Sequence, residues 1–527
     1  MALTYQIRNG IEYGKIDGRS YRKNGTVYKE KQIYLGRVID KDKHIFANRQ
    51  RGVFIYDETN DSYLPADDSY SFRLENDGRR RQKLSYDFGD SFFIDSLIKS
   101  IGYDSVIDAI DYRNRDTLKS MIVFYTLTDY ALVHASTWYE GNFVSILYPK
   151  ANLVSQRLSD FLHTLGDDRR QRQYFKAHIG WLKEKICNDP AIIVDSIGLP
   201  NDIDTYLTDI STHNGIRSNE IRMTTAVQRD SGYPLLYRLS PGNVNDVSIL
   251  SRTIATLEEY DVNTDVALLD AGYYTNENVD SLCKAHIDFV SRLPERNATL
   301  YETVLSKCLD HLERKENLIE YNKRYIYISS TDVKIGSMNQ YTARAYLGLD
   351  IARRSDETYK AIKKARKERS EANLMHDRFQ SAGLFIIISS LPYRNEDILP
   401  VYYARQMIEQ YFDVSKGISR LIPLRVHSEE SIRGHCMLSQ IAATLNLTIQ
   451  KKIGNSFNQR DEMFLSLRNQ KCDVYKNRII TAEPQSGANE FYDRFRIECP
   501  MAFKKQGDIL IPQKDLKRRQ DSDQIIL

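Results

Sequence analysis

The chain has 527 residues, and its 74 Lys and Arg residues nearly balance its 71 Asp and Glu residues. A chain of this length has room for about two to four domains. The balanced charge excludes a uniformly basic nucleic-acid-binding protein, so any nucleic-acid contact must rest on a local basic surface. Six scattered cysteines without a CxxC pair argue against a zinc module and against a disulfide framework.

No stretch of the sequence is typical of a secretory signal or of a membrane helix. The first residues, MALTYQIRNG, lack an apolar core segment, and no run approaches the roughly 18 apolar residues that a membrane helix needs. We therefore expect a soluble, cytoplasmic protein without a membrane partner.

The first part of the chain is predicted to contain a β-rich region and then a helical region. Residues 1–88 are rich in Tyr and Val, carry a turn signal at Asn24-Gly25, and end in a polar linker. The basic run from Arg79 to Lys83 in this linker is either a solvated segment or a phosphate contact. In residues 89–189, apolar side chains recur at intervals of three and four residues, which is typical of amphipathic helices.

From residue 190 onward, short apolar runs alternate with helical patterns, which predicts a mixed α/β sheet with crossover helices. This sheet is predicted to be built in two parts. The predicted regions are 190–297 for the first part, 298–378 for a β-containing insertion, 379–452 for the second part, and 453–527 for a C-terminal tail with a basic run from Lys514 to Gln520.

A helix is predicted from Val401 to Gly417. At about 100° per residue, Tyr402, Arg405, Glu409 and Lys416 fall within an arc of roughly 60°. These four side chains would form one exposed stripe, opposite a buried apolar side. The simplest interpretation of such a stripe is a solvated helix face with ordinary salt bridges.

Asp195 and Asp270 each follow a short apolar run, at the position where open α/β sheets bind ligands. Together with Glu409 they would form a three-carboxylate cluster, whose mutual repulsion a divalent cation would relieve. Two Mg²⁺ ions about 4 Å apart can activate a water molecule and stabilise a leaving oxygen in phosphodiester chemistry. Arg405 and Lys416 would then hold phosphates. Each aspartate alone could equally be a strand-end cap or turn former, so the pattern leaves both interpretations open.

Three motifs in this part of the chain resemble those of a known family. The spacing Tyr402-x2-Arg405-x3-Glu409-x6-Lys416 matches the YREK signature of one large branch of the DDE transposases of bacterial insertion sequences. The segment from Asp270 to Tyr273 resembles the D-x-G-Tyr/Phe motif around the family's second acid. The segment from Asp195 to Gly198 resembles the motif around its first acid. The motifs occur in the family's order, and the resemblance covers about residues 190 to 452.

The resemblance implies a ribonuclease-H-like catalytic fold and cut-and-paste transposition by two-metal hydrolysis and strand transfer at terminal inverted repeats. It implies two Mg²⁺ ions, with Mn²⁺ as a substitute, held by Asp195, Asp270 and Glu409. It further implies that Tyr402, Arg405 and Lys416 bind the phosphates of a DNA end.

The implied partners are transposon ends and target DNA, bound by a homodimer in the synaptic complex within the nucleoid. Recognition of the terminal repeats is expected of residues 1–189. Arg292, just after an apolar run, is either a further phosphate contact or a surface arginine. Some relatives flip a base onto an aromatic side chain of the insertion. Because this insertion has no tryptophan, a tyrosine such as Tyr341 or Tyr346 would have to receive such a base.

Three alternatives remain open at the level of sequence. The first is a metal-dependent nuclease of the same fold without strand transfer. The second is a non-catalytic DNA-binding repressor derived from a transposase. The third is a structural scaffold in which the charged stripe is fortuitous.

Overall fold

A computed structural model describes the chain in two compact units, residues Met1–Leu84 and Ser85–Leu527. The described residues are 2–8, 11–18, 20–23, 26–29, 32–48, 51–66, 85–186, 189–213, 216–244, 246–368, 381–424, 426–454, 457–475, 477–506 and 509–513. The predicted turn at Asn24-Gly25 and the basic runs from Arg79 to Lys83 and from Lys514 to Gln520 lie outside these residues.

The first unit is built from antiparallel strands. Its strands are β1 (Ala2–Arg8), β2 (Ile11–Asp17), β3 (Ser20–Lys23), β4 (Thr26–Lys29), β5 (Ile33–Asp40), β6 (Ile45–Asn48), β7 (Gly52–Asp57) and β8 (Ser62–Pro65). Six of them form a sheet in the order β1-β2-β5-β6-β7-β8, and β3 pairs with β4 as a separate hairpin. A small core of buried side chains, including Ile16, Leu35 and Phe46, holds the larger sheet together.

The second unit begins with a short strand and a set of helices. These elements are β9 (Ser85–Asp87), α1 (Gly89–Ser100), α2 (Asp104–Ala109), α3 (Arg115–Leu127), α4 (Ala135–Gly141), α5 (Val144–Leu147), α6 (Ser155–Leu165) and α7 (Asp168–Lys185). Side chains cap two of these helices, because Asn114 accepts a hydrogen bond from the Thr117 backbone N–H and Asp167 accepts one from that of Arg169.

A ten-stranded mixed sheet follows. Its strands are β10 (Ala191–Pro200), β11 (Asp209–His213), β12 (Ile216–Gln228), β13 (Pro234–Pro241), β14 (Val266–Leu269), β15 (Asp288–Arg292), β16 (Leu318–Tyr321), β17 (Arg324–Ile335), β18 (Tyr341–Asp350) and β19 (Leu384–Ser389). The order is β11-β12-β10-β14-β15-β19-β18-β17-β16, and β13 pairs with β12. Strands β10, β14 and β15 are parallel, whereas the remaining pairs are antiparallel. The predicted mixed α/β class is confirmed.

Helices alternate with these strands or follow them. They are α8 (Asp246–Glu259), α9 (Asn276–Lys284), α10 (Ala298–Cys308), α11 (Ile351–Glu368), α12 (Ile398–Tyr403), α13 (Gln406–Gly417) and α14 (Glu429–Ile453). Helix α14 is buried along most of its 25 residues, and it is capped by Ser428, whose side chain accepts a hydrogen bond from the Ser431 backbone N–H. Strands β16, β17 and β18, from the stretch predicted as an insertion, continue the main sheet beyond β19.

The last part of the chain joins the helical region. It contains α15 (Phe457–Arg468), β20 (Lys471–Val474), β21 (Arg478–Thr481), α16 (Ser486–Phe495), β22 (Ala502–Gln506) and β23 (Ile509–Gln513). The four strands complete a five-stranded sheet with β9 in the order β23-β22-β21-β20-β9. Among the described residues, no helix combines the length and apolarity that crossing a bilayer requires.

Candidate functional site

Two predicted acids and one predicted arginine occupy the same level of the sheet. Val194 on β10 pairs with Leu269 on β14, and Leu269 pairs with Ser291 on β15. The residues that follow Val194, Leu269 and Ser291 are Asp195, Asp270 and Arg292, respectively. Neighbouring strands lie about 4.8 Å apart, so these three positions form a row at the carboxyl end of the parallel strands, where α/β sheets bind ligands.

The two aspartates differ in their backbone setting. Asp270 is the first residue after β14, as predicted, and it precedes a 3₁₀ turn at Ala271–Tyr273. Asp195 lies inside β10 rather than just past it as predicted, because β10 continues to Pro200 while paired antiparallel with β12. The backbone of Asp195 is therefore paired with Thr225 of β12, one residue past the last pair with β14, and its side chain is only 20% exposed.

Helix α13 carries the third acid, but the predicted single helix from Val401 to Gly417 is broken. Helix α12 ends at Tyr403, and α13 begins at Gln406. Ala404 and Arg405 form the turn between them. The break separates Tyr402 from the stripe that continues through Glu409.

Arg405 joins all three acids. Its Nη1 atom lies 2.8 Å from Asp195 Oδ2 and 3.6 Å from Asp270 Oδ1. Its Nη2 atom lies 2.9 Å from Glu409 Oε1. The acids are far apart in sequence and come from different elements, yet one guanidinium contacts all of them. Their predicted convergence on shared metal ions stays a prediction.

The acids determine the electrostatics around Arg405. Burial alone would lower the pKa of the Arg405 guanidinium, but Asp270, Tyr402, Asp195 and Glu409 together outweigh burial and raise this pKa. One cation thus faces three carboxylates. If all three are ionised, the cluster carries an excess of negative charge that would attract further cations.

The donor set suits a hard divalent cation, because carboxylate oxygens are the ligands that Mg²⁺ prefers. Glu409 and Asp270 are 53% and 42% exposed, so solvent and substrate can reach them. In the described part of the chain, however, no group of three His, Cys, Asp or Glu side chains is arranged to hold a metal ion. The Arg405 guanidinium is the cation that the three acids share in this arrangement. The assignment of these acids as metal ligands stays a prediction.

A hydrogen-bonded network fixes the turn that carries Asp270. The hydroxyl of Ser291 donates to the Asp270 carbonyl at 3.4 Å, and Arg296 donates to the Gly272 carbonyl at 3.2 Å. Tyr273, the residue after Gly272, is buried, and its hydroxyl forms a hydrogen bond with the hydroxyl of Ser196. Ser196 is the residue directly after Asp195. The two aspartate segments are thus tied together behind the acids, a role that the sequence did not reveal.

Tyr402 and Arg292 lie beside the cluster without touching the acids. The Tyr402 residue is only 7% exposed and packs in an apolar cluster with Val290, Ile387 and Leu399. Burial raises the pKa of Tyr402 to about 12, with Arg405 acting against this shift. The predicted exposed position of the phenol is therefore wrong, because the helix break turns Tyr402 inward. Arg292 is half-buried and forms no ion pair with any described residue.

The proposed acceptors of a flipped base differ in accessibility. Tyr346 is completely buried, and its hydroxyl donates to the Tyr393 carbonyl at 2.8 Å. It cannot stack on a base without leaving the core. Tyr341 is half-buried at the start of β18.

Lys416 lies in the last turn of α13 and is exposed. Beyond it, Arg420 packs its guanidinium on the rings of Phe124 and Tyr125. Arg420 is not among the predicted site residues. It lies eleven residues after Glu409, and eleven, the sum of seven and four, is a spacing that would put both on one face of a continuous helix. The predicted helix and helix α13 both end at Gly417, so Arg420 lies outside the helix and the predicted stripe does not include it.

Comparison with protein families identifies a transposase family model. Residues 188–446 match the family model described as the transposase DDE domain. This stretch contains all the predicted site residues and the strands and helices that carry them. Comparison with curated protein sequences gives no significant match.

Among solved structures, the chain has a weak similarity to the cryo-EM structure of a piggyBac transposase synaptic complex with hairpin DNA. The TM-score is 0.35 at 9% sequence identity, over 71% of this chain and 77% of that chain.

Proposed function

We propose that this protein is a DDE transposase that catalyses cut-and-paste DNA transposition at terminal inverted repeats. The observation that carries the proposal is the convergence of Asp195, Asp270 and Glu409 on the single Arg405 guanidinium. The family match over residues 188–446 supports the same function. We further propose that the sheet around β10, β14 and β15 is a ribonuclease-H-like catalytic core, since its parallel strands deliver the two aspartates side by side.

Asp195, Asp270 and Glu409 would hold two Mg²⁺ ions, for which Mn²⁺ can substitute. When bound, such ions activate a water or a DNA hydroxyl and stabilise the leaving oxygen of a phosphodiester. The strand positions of the aspartates and the network behind them hold these carboxylates rigidly, which favours a fixed geometry for in-line attack.

Arg405 would neutralise the acids while the site is empty of substrate. A guanidinium pairs equally well with carboxylate and phosphate, often through two parallel hydrogen bonds. DNA entry therefore offers Arg405 a new partner, and its movement to a phosphate would free the carboxylates. Arg405 is placed to couple the arrival of DNA to the availability of the acids.

The other proposed DNA contacts are Lys416, Arg292 and Tyr402. Lys416 is exposed on the same helix as Glu409, and Arg292 stands in the row of the aspartates. Tyr402 would contact a phosphate through its hydroxyl, from a position that is 7% exposed. The partners are double-stranded transposon ends and target DNA, and we propose a homodimer in the synaptic complex.

A strand-transfer assay with a precut transposon end and a plasmid target tests the function. A transposase joins the precut end to the plasmid in the presence of Mg²⁺. A metal-dependent nuclease would cut DNA without joining the end, and a repressor would bind DNA without either reaction. Either of the last two results would overturn the proposal.

A further inference from the structure

A cavity lies at the end of α13, away from the acids. Its volume is about 540 Å³, and it is enclosed by the segment after α3, by helix α6, and by the loop between α13 and α14. Its charged lining residues are Lys416, Arg420 and Asp129, and the histidines His427 and His435 also face it. The cavity thus begins where the predicted DNA-binding stripe ends.

Arg420 is an incompletely compensated cation. Its guanidinium carbon lies 4.5 Å and 4.9 Å from the ring centroids of Phe124 and Tyr125. Its Nη1 atom is buried and has no hydrogen-bond partner among the residues that the structure describes. Burial lowers the pKa of Arg420, although Tyr125 and Asp129 act in the opposite direction. Stacking on aromatic rings stabilises a cation but provides no acceptor for its N–H groups.

The backbone of Arg420 adds a second observation. Its φ angle is 63°, in the left-handed region that side chains other than glycine rarely adopt. Such conformations are unfavourable for the backbone and concentrate at ligand sites. The chain thus keeps an arginine in a left-handed conformation at a position that lines the cavity.

The other charged and titratable groups that line the cavity do not neutralise the charges of Arg420 and Lys416. Lys416 is exposed and has no ion pair with a described residue. His435 is buried and occupied by two hydrogen bonds, to the Tyr125 hydroxyl at 2.7 Å and to the Leu421 carbonyl at 3.4 Å. Asp129 forms no ion pair within 4.0 Å of Arg420 in the described structure. The cavity therefore favours an anion.

We propose that this cavity binds a backbone phosphate of the transposon end, through Arg420 with Lys416 at its rim. The inference rests on the proposed function and extends it along the DNA. Lys416 lies seven residues after Glu409, a distance of about 10 Å along a helix. This distance corresponds to about three base pairs of duplex. The cavity holds the DNA backbone beside the cleavage position and fixes how far the end enters the site.

The test measures the salt dependence of binding to a mixed-sequence duplex in EDTA, where metal ions play no part. The variants are Arg420→Gln, which removes the charge, and Arg420→Lys, which keeps it. The matched control is Arg494→Gln, an exposed arginine of α16 that pairs with Glu490. We expect Arg420→Gln to reduce the slope of log K against log salt by about 0.9, whereas Arg420→Lys and the control retain the wild-type slope. An unchanged slope in Arg420→Gln would overturn the inference.

Because Arg420 packs against the core, a second pair of variants avoids it. Ser159 is exposed on α6 and lines the same cavity. We expect Ser159→Glu to weaken duplex binding and Ser159→Lys to strengthen it, since a phosphate in the cavity would be repelled or attracted. Equal affinities of these two variants would refute the phosphate site. Absence of duplex binding by the wild-type protein would instead refute the proposed function itself.

Discussion

Arg405 controls the charge of the site at the level of single residues. It contacts Asp195 and Glu409 at hydrogen-bond distance and Asp270 slightly farther away. A cation bound in this way competes with any metal ion for the same oxygens. In the protein without DNA, metal binding must therefore overcome the existing ion pairs.

Removing the Arg405 charge should strengthen metal binding by the DNA-free protein. We expect Arg405→Gln to bind Mn²⁺ about tenfold more tightly than the wild type, equivalent to about 1.4 kcal/mol. Titration followed by electron paramagnetic resonance measures this affinity directly. Arg292→Gln is the matched control. Arg292 is the last residue of β15, at the same level of the sheet as Asp195 and Asp270, but it forms no ion pair with the three acids in the described structure. Equal or weaker Mn²⁺ binding by Arg405→Gln would contradict the role of Arg405 as competitor.

Loss of any of the acids should separate DNA cleavage from DNA binding. We expect Asp195→Ala, Asp270→Ala and Glu409→Ala each to abolish Mg²⁺-dependent cleavage of a transposon end. Binding should persist, because it rests on basic groups and counterion release. Gel-shift and cleavage assays on the same DNA measure both properties. If all three variants still cut with Mg²⁺, these acids are not the metal ligands.

Sequence spacing identified the acids and Arg405 but not the orientation of every neighbour. The aspartate motifs follow apolar runs, and this local pattern suffices to put Asp270 directly after β14. It does not show that β10 continues past Asp195, because that extension depends on pairing with β12. The inward turn of Tyr402 could not be predicted, because it depends on a break at Ala404 and Arg405 that no glycine or proline marks. The hydrogen bond of Ser196 with Tyr273 joins β10 to the 3₁₀ turn after β14, a contact without a signature in sequence.

At the level of elements, the approach of α6 to α14 positions the cavity next to α13. Gly434 on α14 makes this approach possible, since a Cβ atom there would overlap the Leu162 carbonyl oxygen on α6. This distance is too short for any side chain at position 434. The atom in the way belongs to the backbone of α6, which cannot move aside as the end of a flexible side chain can. Gly166, which follows α6, is packed equally closely, since a Cβ atom there would overlap the Glu430 carbonyl oxygen on α14. Glycine on both sides of the crossing therefore lets the two helices meet.

Gly434→Ala should destabilise the protein by about 1–3 kcal/mol, the usual cost of overpacking a close contact. Gly180→Ala is the matched control, because Gly180 lies in α7 and a Cβ atom added there would have nothing within 4 Å. The control should be neutral or stabilising by up to about 1 kcal/mol, since alanine favours helix. Chemical denaturation measures both changes. Equal stabilities of the two variants would show that the helices can separate without cost.

The sequence predicted most elements but not how the strands assemble. Alternation and apolar runs mark β14, β15 and β19 individually. Their order in the sheet depends on contacts between distant parts of the chain, so local patterns could not show that β16 to β18 extend the same sheet. Local patterns also could not show the pairing of β20 with β9, because it joins residue 471 to residue 87.

For the molecule as a whole, two buried histidines link stability to pH. His178 meets the Tyr103 hydroxyl at 2.9 Å and the Pro234 carbonyl at 2.7 Å, an arrangement that suits the neutral ring. His435 has the equivalent pair of partners, Tyr125 and Leu421. Burial lowers the pKa of each histidine to about 4, below the value of about 6.5 in an unfolded chain.

Because the folded pKa values are the lower ones, these histidines favour folding fully above about pH 6.5. This contribution is lost as the pH falls from about 6.5 toward about 4. We expect the urea midpoint to decrease over this range and the decrease to be smaller in His178→Asn. His134→Asn, at an exposed position, should keep the wild-type pH dependence. An identical pH dependence in His178→Asn would exclude the buried ring as its source.

The most direct test of the account is a count of Mn²⁺ ions bound by the protein in complex with duplex DNA. The comparison is between the wild type and a variant with Asp195, Asp270 and Glu409 all changed to alanine, so that ions bound by the DNA itself cancel. The account predicts that the wild-type complex binds about two more ions per chain than the variant complex, as a two-metal site requires. An equal number of ions in both complexes would contradict it.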